Sequence, residues 1–481
     1  MTPRLIVALL VLPAFVGAQG VRLSGVTNLQ TVDLRPFVDD SLPIGTVAGS
    51  GEWRTGPDGA VVRCRGGNYC TYQRSGARVN AAPLSQDLTL SAWGLMQGLS
   101  LHANVRMRTQ LAGDQLTWPR ANDHFDALEA FLELDRARAR GRLGRLWISG
   151  GLGAYNFDGA DLVLRFDRGS IEGFGGRALA EGLNQPHTGG ILGTVDELPP
   201  DQDGYLVGVR GRWRPGSHTA LSAMYQRVLQ ADRGGLYSER AAFDGLSRVL
   251  GADLDAALVF NLATGGWDEA RLRASTSVLR AVGYSAEVRH SRPFFELWTI
   301  WGAFAPVGFD EARGAIDWRP RAVPFSARLH GGYRKYAETD AGIGGAVRTN
   351  GWRAGADARW DGPGKWSASG SYDVDIGFGA SRNDGRMTVR WIGSPDLYLG
   401  LEGSALQNIY EFRVGTGRVL GAAIDGAWRM SADTRIAFDA GLYRQTLSNG
   451  AAGPDWTQRR ASVRFEWTIG RDPGRTARRT P

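Results

Sequence analysis

The stretch Trp352-Arg353-Ala354-Gly355-Ala356-Asp357-Ala358-Arg359-Trp360 decides the fold class. In an extended chain Trp352, Ala354, Ala356, Ala358 and Trp360 share one face, while Arg353, Asp357 and Arg359 share the other. The run ends on an amphipathic ring and is followed by the turn residues Pro363-Gly364. The same phrase recurs with Trp213 before Pro215-Gly216, Trp318 before Pro320, Trp391 before Ser394-Pro395 and Trp428 before Ser431. A two-residue period with one greasy and one charged face suits a strand that has lipid on one side and water on the other, with Trp at the interface. A soluble β-propeller also repeats strands and Trp at comparable intervals. Its strands are short, whereas alternation here lasts long enough to cross a tilted membrane.

Outward from this stretch, the N-terminus predicts export. Arg4 precedes an apolar run over 5–15 and the small residues Val16-Gly17-Ala18, a pattern expected for a signal peptide spanning 1–18. Charges recur too often for a membrane helix of about 20 apolar residues. A closed barrel is the other structure that satisfies every backbone group in hydrocarbon. The expected fold is therefore all-β, a transmembrane antiparallel up-and-down barrel over 19–470, with 471–481 a basic tail. About 22 strands are expected, within a range of 18–24, in an outer membrane.

The topology follows from turn signals. A first strand is expected over 20–34, then a long irregular segment over 36–85, then strands near 86–95 and 98–110. Short connections are expected at Arg140-Gly141, Arg168-Gly169, Pro215-Gly216, Gly251, Arg280, Pro320, Pro363-Gly364, Ser394-Pro395 and Ser431. Long ones are expected near 36–85, 111–123, 181–203, 293–307, 339–349 and 448–455. A barrel this wide is normally occupied, so 36–85 or 181–203 folding inward, or a partner, is expected to narrow it.

Composition excludes several functions. The net charge is +7 over 481 residues, with 67 Gly and nearly all cations supplied by Arg, Lys335 and Lys365 being the only lysines. These arginines alternate with Asp and Glu, which is not the patch of a nucleic-acid binder. His102, His124, His187, His218, His290 and His330 are scattered without metal-ligand spacing, and no nucleophile motif is present. No catalysis, metal site or cofactor is expected. Cys64 and Cys70 are the only cysteines. Their short spacing in an exported Gly-rich segment predicts a local disulfide.

What carries function is the charged face. Arg106, Arg108, Arg165, Arg210, Arg212, Arg271, Arg273, Arg353, Arg359 and Arg464 are expected to line a water-filled lumen, with Glu129 and Glu133 set against Arg106 and Arg108. Guanidinium groups on a pore wall favour anions. Trp213, Trp318, Trp360, Trp391, Trp428 and Trp467 are expected to form a membrane girdle.

The last strand alternates Ala461, Val463, Phe465, Trp467 and Ile469 with Arg460, Ser462, Arg464, Glu466 and Thr468. Here the chain resembles the bacterial outer-membrane β-barrel superfamily, whose final strand carries such alternation and an aromatic read by the assembly machinery. In this chain about eleven residues follow the strand. Gly144-Arg145-Leu146-Trp147 and Tyr155-Asn156-Phe157-Asp158-Gly159-Ala160 resemble the Gly-Arg strand and Phe-Asp-Gly turn of alginate-export-like specific porins. The resemblance implies a barrel that translocates a substrate. The expected function is a porin-like channel for polar or anionic solutes, with outer-membrane lipid around it. Two alternatives stand beside it: a sleeve around a multihaem cytochrome in an electron conduit, and an adhesin or structural anchor.

Overall fold

The computed structural model describes residues 20–57, 61–113, 124–178, 204–230, 235–279, 281–292, 308–337, 349–377, 381–411, 415–447 and 455–470. The expected signal peptide, the tail, Arg280, the whole of 181–203 and 293–307, and most of 111–123, 339–349 and 448–455 lie outside them. Among the described residues no helix is long and apolar enough to cross a membrane.

The wall begins with β1 (Gly20–Leu34), then β7 (Pro83–Met96), β8 (Leu99–Gln110), β9 (Phe125–Asp135), β10 (Ala139–Gly150), β11 (Gly153–Phe166) and β12 (Gly169–Ala178). It continues through β13 (Gly204–Gly216), β14 (Thr219–Gln230), β15 (Leu236–Val249), β16 (Ala252–Asn261), β17 (Gly266–Leu279), β18 (Val282–Ser291) and β19 (Phe309–Trp318). The remaining strands are β20 (Phe325–Tyr336), β21 (Asn350–Asp361), β22 (Trp366–Ile376), β23 (Ser381–Ser394), β24 (Leu397–Glu411), β25 (Gly415–Ser431), β26 (Thr434–Leu447) and β27 (Trp456–Gly470). Each pairs antiparallel with its neighbour in the chain. β1 pairs with β7 on one edge and with β27 on the other, from Arg22 opposite Gly470 to Val32 opposite Arg460. The ladder therefore closes into a 22-stranded barrel with no free edge, as backbone in hydrocarbon requires.

Several boundaries differ from the expectation. Arg140 and Gly141 lie inside β10 and the turn is at 136–138, because the alternation resumes before the glycine. Pro215 and Gly216 end β13 instead of forming its turn. Phe157-Asp158-Gly159 is mid-strand in β11, opposite Leu146, Arg145 and Gly144, and is not a turn. Short turns also occur at the end that carries the long loops: β10 and β11 are joined by only Gly151-Leu152, so loop length does not separate the two ends cleanly.

The 36–85 segment is not irregular. After β1 it forms β2 (Phe37–Pro43), β3 (Trp53–Thr55), β4 (Val61–Arg63) and β5 (Tyr69–Ser75), a separate sheet in the order β2-β5-β4-β3. β6 (Val79–Ala81) then returns the chain along β1. This small sheet has its own core of Val62, Cys64 and Cys70, packed with Leu42, Ile44, Val47 and Tyr72. Cys64 and Cys70 are bonded to each other within it, as their spacing predicts.

Candidate solute path and its constriction

Pairing places the two periodic faces of each strand on opposite sides of the wall. One side exposes Leu143, Leu162, Leu164, Tyr205, Val207, Val209, Leu329, Leu401, Leu442 and Val463. The other side carries charges that pair laterally, between neighbouring strands or across one. Arg271 meets Asp255 at 2.8 Å, Arg313 meets Glu287 at 2.6 Å, and Arg353 and Arg334 both reach Glu311, the latter at 3.0 Å. Lateral pairing of this kind lets one strand's charge satisfy its neighbour's, so a polar face stays ordered with little apolar packing.

The β10–β11 hairpin shows which face is concave. Beyond Gly144 its tip leaves the wall and lies over the charged faces of β13, β14 and β15. The Ser149 carbonyl accepts from Arg210, which also donates to Glu172 at 2.7 Å, and the Leu152 carbonyl accepts from Arg240 at 3.0 Å. Leu146, Ile148, Leu152 and Phe157 pack with Phe174, Leu206, Met224, Val228, Ala242 and Val259 in one buried cluster. A segment of β10 can touch β13 and β15 only by crossing the inside of the curve.

Glycines permit that departure. Gly144 pairs with Gly159 and Gly159 with Gly176, one row across three strands. Gly144 has φ +135°, and an added Cβ there would overlap the Ala130 carbonyl. At Gly159 it would overlap the Gly175 carbonyl. Where β10 parts from β9, the Ala127 and Leu128 carbonyls are taken by the Arg145 guanidinium at 2.8 Å and the Asn156 amide at 2.7 Å, so these two groups keep partners. Sequence reading expected 36–85 or 181–203 to narrow the barrel, and 181–203 lies outside the described residues. Among those described, the segment that enters the interior is this hairpin with a two-residue loop, whose sequence signal was the Gly144 and Gly159 pair.

The two halves of the concave face therefore differ. Beside the hairpin, Arg210, Arg142, Glu172 and Asp161 are almost wholly buried in one network, with Arg142 at 2.9 Å from Asp161. On the far side, Arg386 and Arg382 keep 64% and 57% of their side-chain surface exposed. Two recesses open there. One, of about 940 Å³, is bordered by Arg359, Arg386, Arg390 and Arg460 with Glu402, Asp425 and Asp439. The second, of about 520 Å³, holds Arg313, Arg328, Arg353 and Arg382 among Asp357, Asp373 and Asp375. His330 bridges carboxylates in this second recess, at 2.8 Å from Asp373 and 3.7 Å from Asp357.

The residues singled out in the sequence fall as follows. Arg106 pairs with Asp87 on β7, at 2.9 Å, and not with Glu129 or Glu133. Register sets Glu129 opposite Asn104 and Glu133 opposite both Ser100 and Arg142, and places Arg108 opposite Ser85. Arg165 donates to Asp135 at 2.6 Å, and Arg212 stands opposite Ser170 and Ser222. Arg273 is opposite Asp255 and Glu287. Arg359 reaches Asp361 at 2.9 Å and Arg464 reaches Glu466 at 2.8 Å. Trp213, Trp318, Trp360 and Trp428 are about half exposed on the apolar side. Trp318 and Phe325 lie 5.8 Å apart, Phe325 stands opposite Trp360, Trp391 opposite Trp366, Trp428 opposite Leu397 and Trp467 opposite Thr434, all near the same end of the wall.

A closed antiparallel ladder, apolar outside and charged inside, leaves no backbone group unpaired in hydrocarbon. The chain is a membrane-spanning β-barrel. No protein-family profile matches this barrel's sequence, and no curated protein does. Among solved structures it is similar to Acinetobacter baumannii OccAB2, at 9% identity and a TM-score of 0.44, over 95% of this chain and 99% of that one. Similarity to Pseudomonas aeruginosa OccK8 (OprE) covers 94% and 99% at 9% identity and a TM-score of 0.39. Similarity to an anion-selective porin from Comamonas acidovorans covers 56% and 93% at 10% identity and 0.34. The fold itself rests on this barrel's own strand pairing.

Proposed function

We propose that the barrel is a porin-like channel that passes polar solutes, anions before cations, along the half of the interior that the β10–β11 hairpin leaves open. The single observation that carries this reading is the difference between the two halves. Guanidinium groups beside the hairpin are buried in fixed pairs, whereas Arg386 and Arg382 remain more than half exposed at the two recesses, as does Arg464 on the same face. An exposed guanidinium can exchange a partner carboxylate for a passing anion and stays charged at every physiological pH. Arg106, Arg108, Arg165, Arg210, Arg212, Arg271, Arg273, Arg353, Arg359, Arg464, Glu129 and Glu133 are assigned to the lumen wall in this reading, and the six tryptophans to the interface girdle. The sleeve alternative calls for an unobstructed cylinder, and the hairpin occupies part of it.

The test is the reversal potential of the purified barrel in planar bilayers under a salt gradient. Anion-selective conductance is expected, and Arg386→Gln with Arg390→Gln should lower the selectivity while leaving the conductance near its original value. Absence of conductance, or cation selectivity in the unmodified protein, would overturn the proposal.

A further inference from the structure

At the rim where β1 closes on β27 a second cluster of arginines gathers, with Arg444 and Thr457 on the apolar face and Trp456 on the charged one, opposite Gln445. Asp33 and Arg459 lie on the apolar, lipid-side face of the wall, paired at 3.0 Å, and Asn80 on β6 donates to Asp33 at 3.4 Å. Just beyond them a recess of about 460 Å³ is lined by Arg35, Arg78, Arg444, Asp455, Trp456 and Thr457. The Arg35 guanidinium sits 6.0 Å from the Trp456 ring, and its Nε is buried with no hydrogen-bond partner. Arg78 stands 4.0 Å from the already paired Asp33, and Arg444 has no ion pair among the described residues. Asp455, the one carboxylate in the recess, accepts the Leu447 amide at 2.8 Å. A buried donor without an acceptor in a cationic recess is a site short of one anion.

Position identifies the class of anion. Arg444 shares a face of β26 with Leu442, which is 52% exposed two residues nearer the midplane. On the same side of the wall follow Val463 and Phe465 of β27 and Leu29 of β1, all exposed. The cluster lies at the end opposite Trp467 and the terminal Gly470, at the far rim of the apolar band. A cationic recess above a column of lipid-facing side chains matches an amphiphile with a phosphorylated headgroup and several acyl chains.

We infer that Arg35, Arg78 and Arg444 bind the phosphate of an anionic lipid in the outer leaflet, whose chains run down the Leu442, Val463 and Leu29 surface. The site welds the barrel's closing seam to the membrane and is independent of whether the lumen conducts. Trp456, at the rim of the charged face, holds Arg35 by a cation–π contact.

Native mass spectrometry of the full-length barrel in detergent, titrated with diphosphoryl lipid A, tests this. One retained copy is expected, and not with the same lipid stripped of phosphate. Each arginine near an anionic surface contributes about fivefold, so Arg35→Gln with Arg444→Gln should weaken retention on the order of 25-fold. Lys335→Gln, on the apolar side of a distant strand, should leave retention unchanged. Arg444→Glu alone, which changes one exposed side chain on β26, repeats the test if the double variant fails to fold, and is expected to abolish retention. Equal retention of the dephosphorylated lipid, equal retention by the arginine variants, or displacement by millimolar inorganic phosphate would each overturn the inference, the last by making the site one for a small anion.

Discussion

Truncating the apolar side of the β10–β11 hairpin should open the barrel, and cutting its arginine tie should not. Arg210→Ala removes one charged hydrogen bond to the hairpin, at Ser149, worth about 1.5–3 kcal/mol. The same change strands Glu172 in the buried network, a loss of about 3–5 kcal/mol moderated by Arg140 and Arg142 nearby, at 3.6 and 4.0 Å. That second cost falls on the wall and not on the hairpin's position. Leu146, Ile148 and Phe157 are each at most 2% exposed, and replacing all three by Ala removes about 7–15 kcal/mol. The apolar contribution outweighs the single tie several-fold, so it decides whether the tip stays folded over β13–β15. The assay is single-channel conductance, paired with thiol labelling at Ser149→Cys, a residue on the hairpin tip. Arg210→Ala should melt at a lower temperature with near-original conductance and labelling. The triple variant should show larger conductance and faster labelling. If the triple variant labels and conducts like the original, apolar packing does not hold the hairpin and the reasoning fails.

Three further outcomes are expected. Val463→Arg places a charge on a lipid-side position that is 49% exposed, and should cost about 2–4 kcal/mol in folding titrations into vesicles. Ser462→Arg, whose site hydrogen-bonds Asp439 on the opposite face, should be far milder, and equal losses would mean the register is wrong. Replacing Cys64 and Cys70 by Ser should lower hydrogen-exchange protection in β2–β5 by about 2–3 kcal/mol at most and leave the barrel's heat-modifiable migration on gels unchanged; loss of the barrel itself would refute the independence of the small sheet. Acidification should loosen the same sheet. The Ser41 amide and Arg74 hold the Asp40 carboxyl below its usual range, and Arg63 with Arg65 does so for Glu52. A carboxylate depressed in the folded state stabilises it above the unfolded value of about 4, and that stabilisation is lost as pH falls through the folded value. Protection factors in β2–β5 should therefore be flat from neutral pH to about 5 and fall below about 4; a rise on acidification would contradict the sign.

The strands were legible in the sequence because period-two alternation is local: Trp352 to Trp360 names its own two faces without any partner. The Cys64–Cys70 link and the turns at Gly251 and Pro363-Gly364 were legible for the same reason, since each is closed by residues a few positions apart, whereas Arg140-Gly141 and Pro215-Gly216 proved to belong to strands. Registers were not. The position of Arg106 specifies only a charged face, and whether Asp87, Glu129 or Glu133 answers it depends on the pairing of β8 with both neighbours. The lipid-side recess joins Arg35 and Arg78 to Arg444, residues brought together only when the first strand meets the last. The hairpin's inward fold is likewise a tertiary matter. Three glycines in one row allow it, but the apolar residues it covers lie on β12 to β16, and only the curvature of the closed wall brings them within reach. What the sequence by itself determined is what each residue faces, because side-chain direction follows from the backbone's own period. What the residues touch was decided by barrel closure, because stagger and curvature belong to all 22 strands at once.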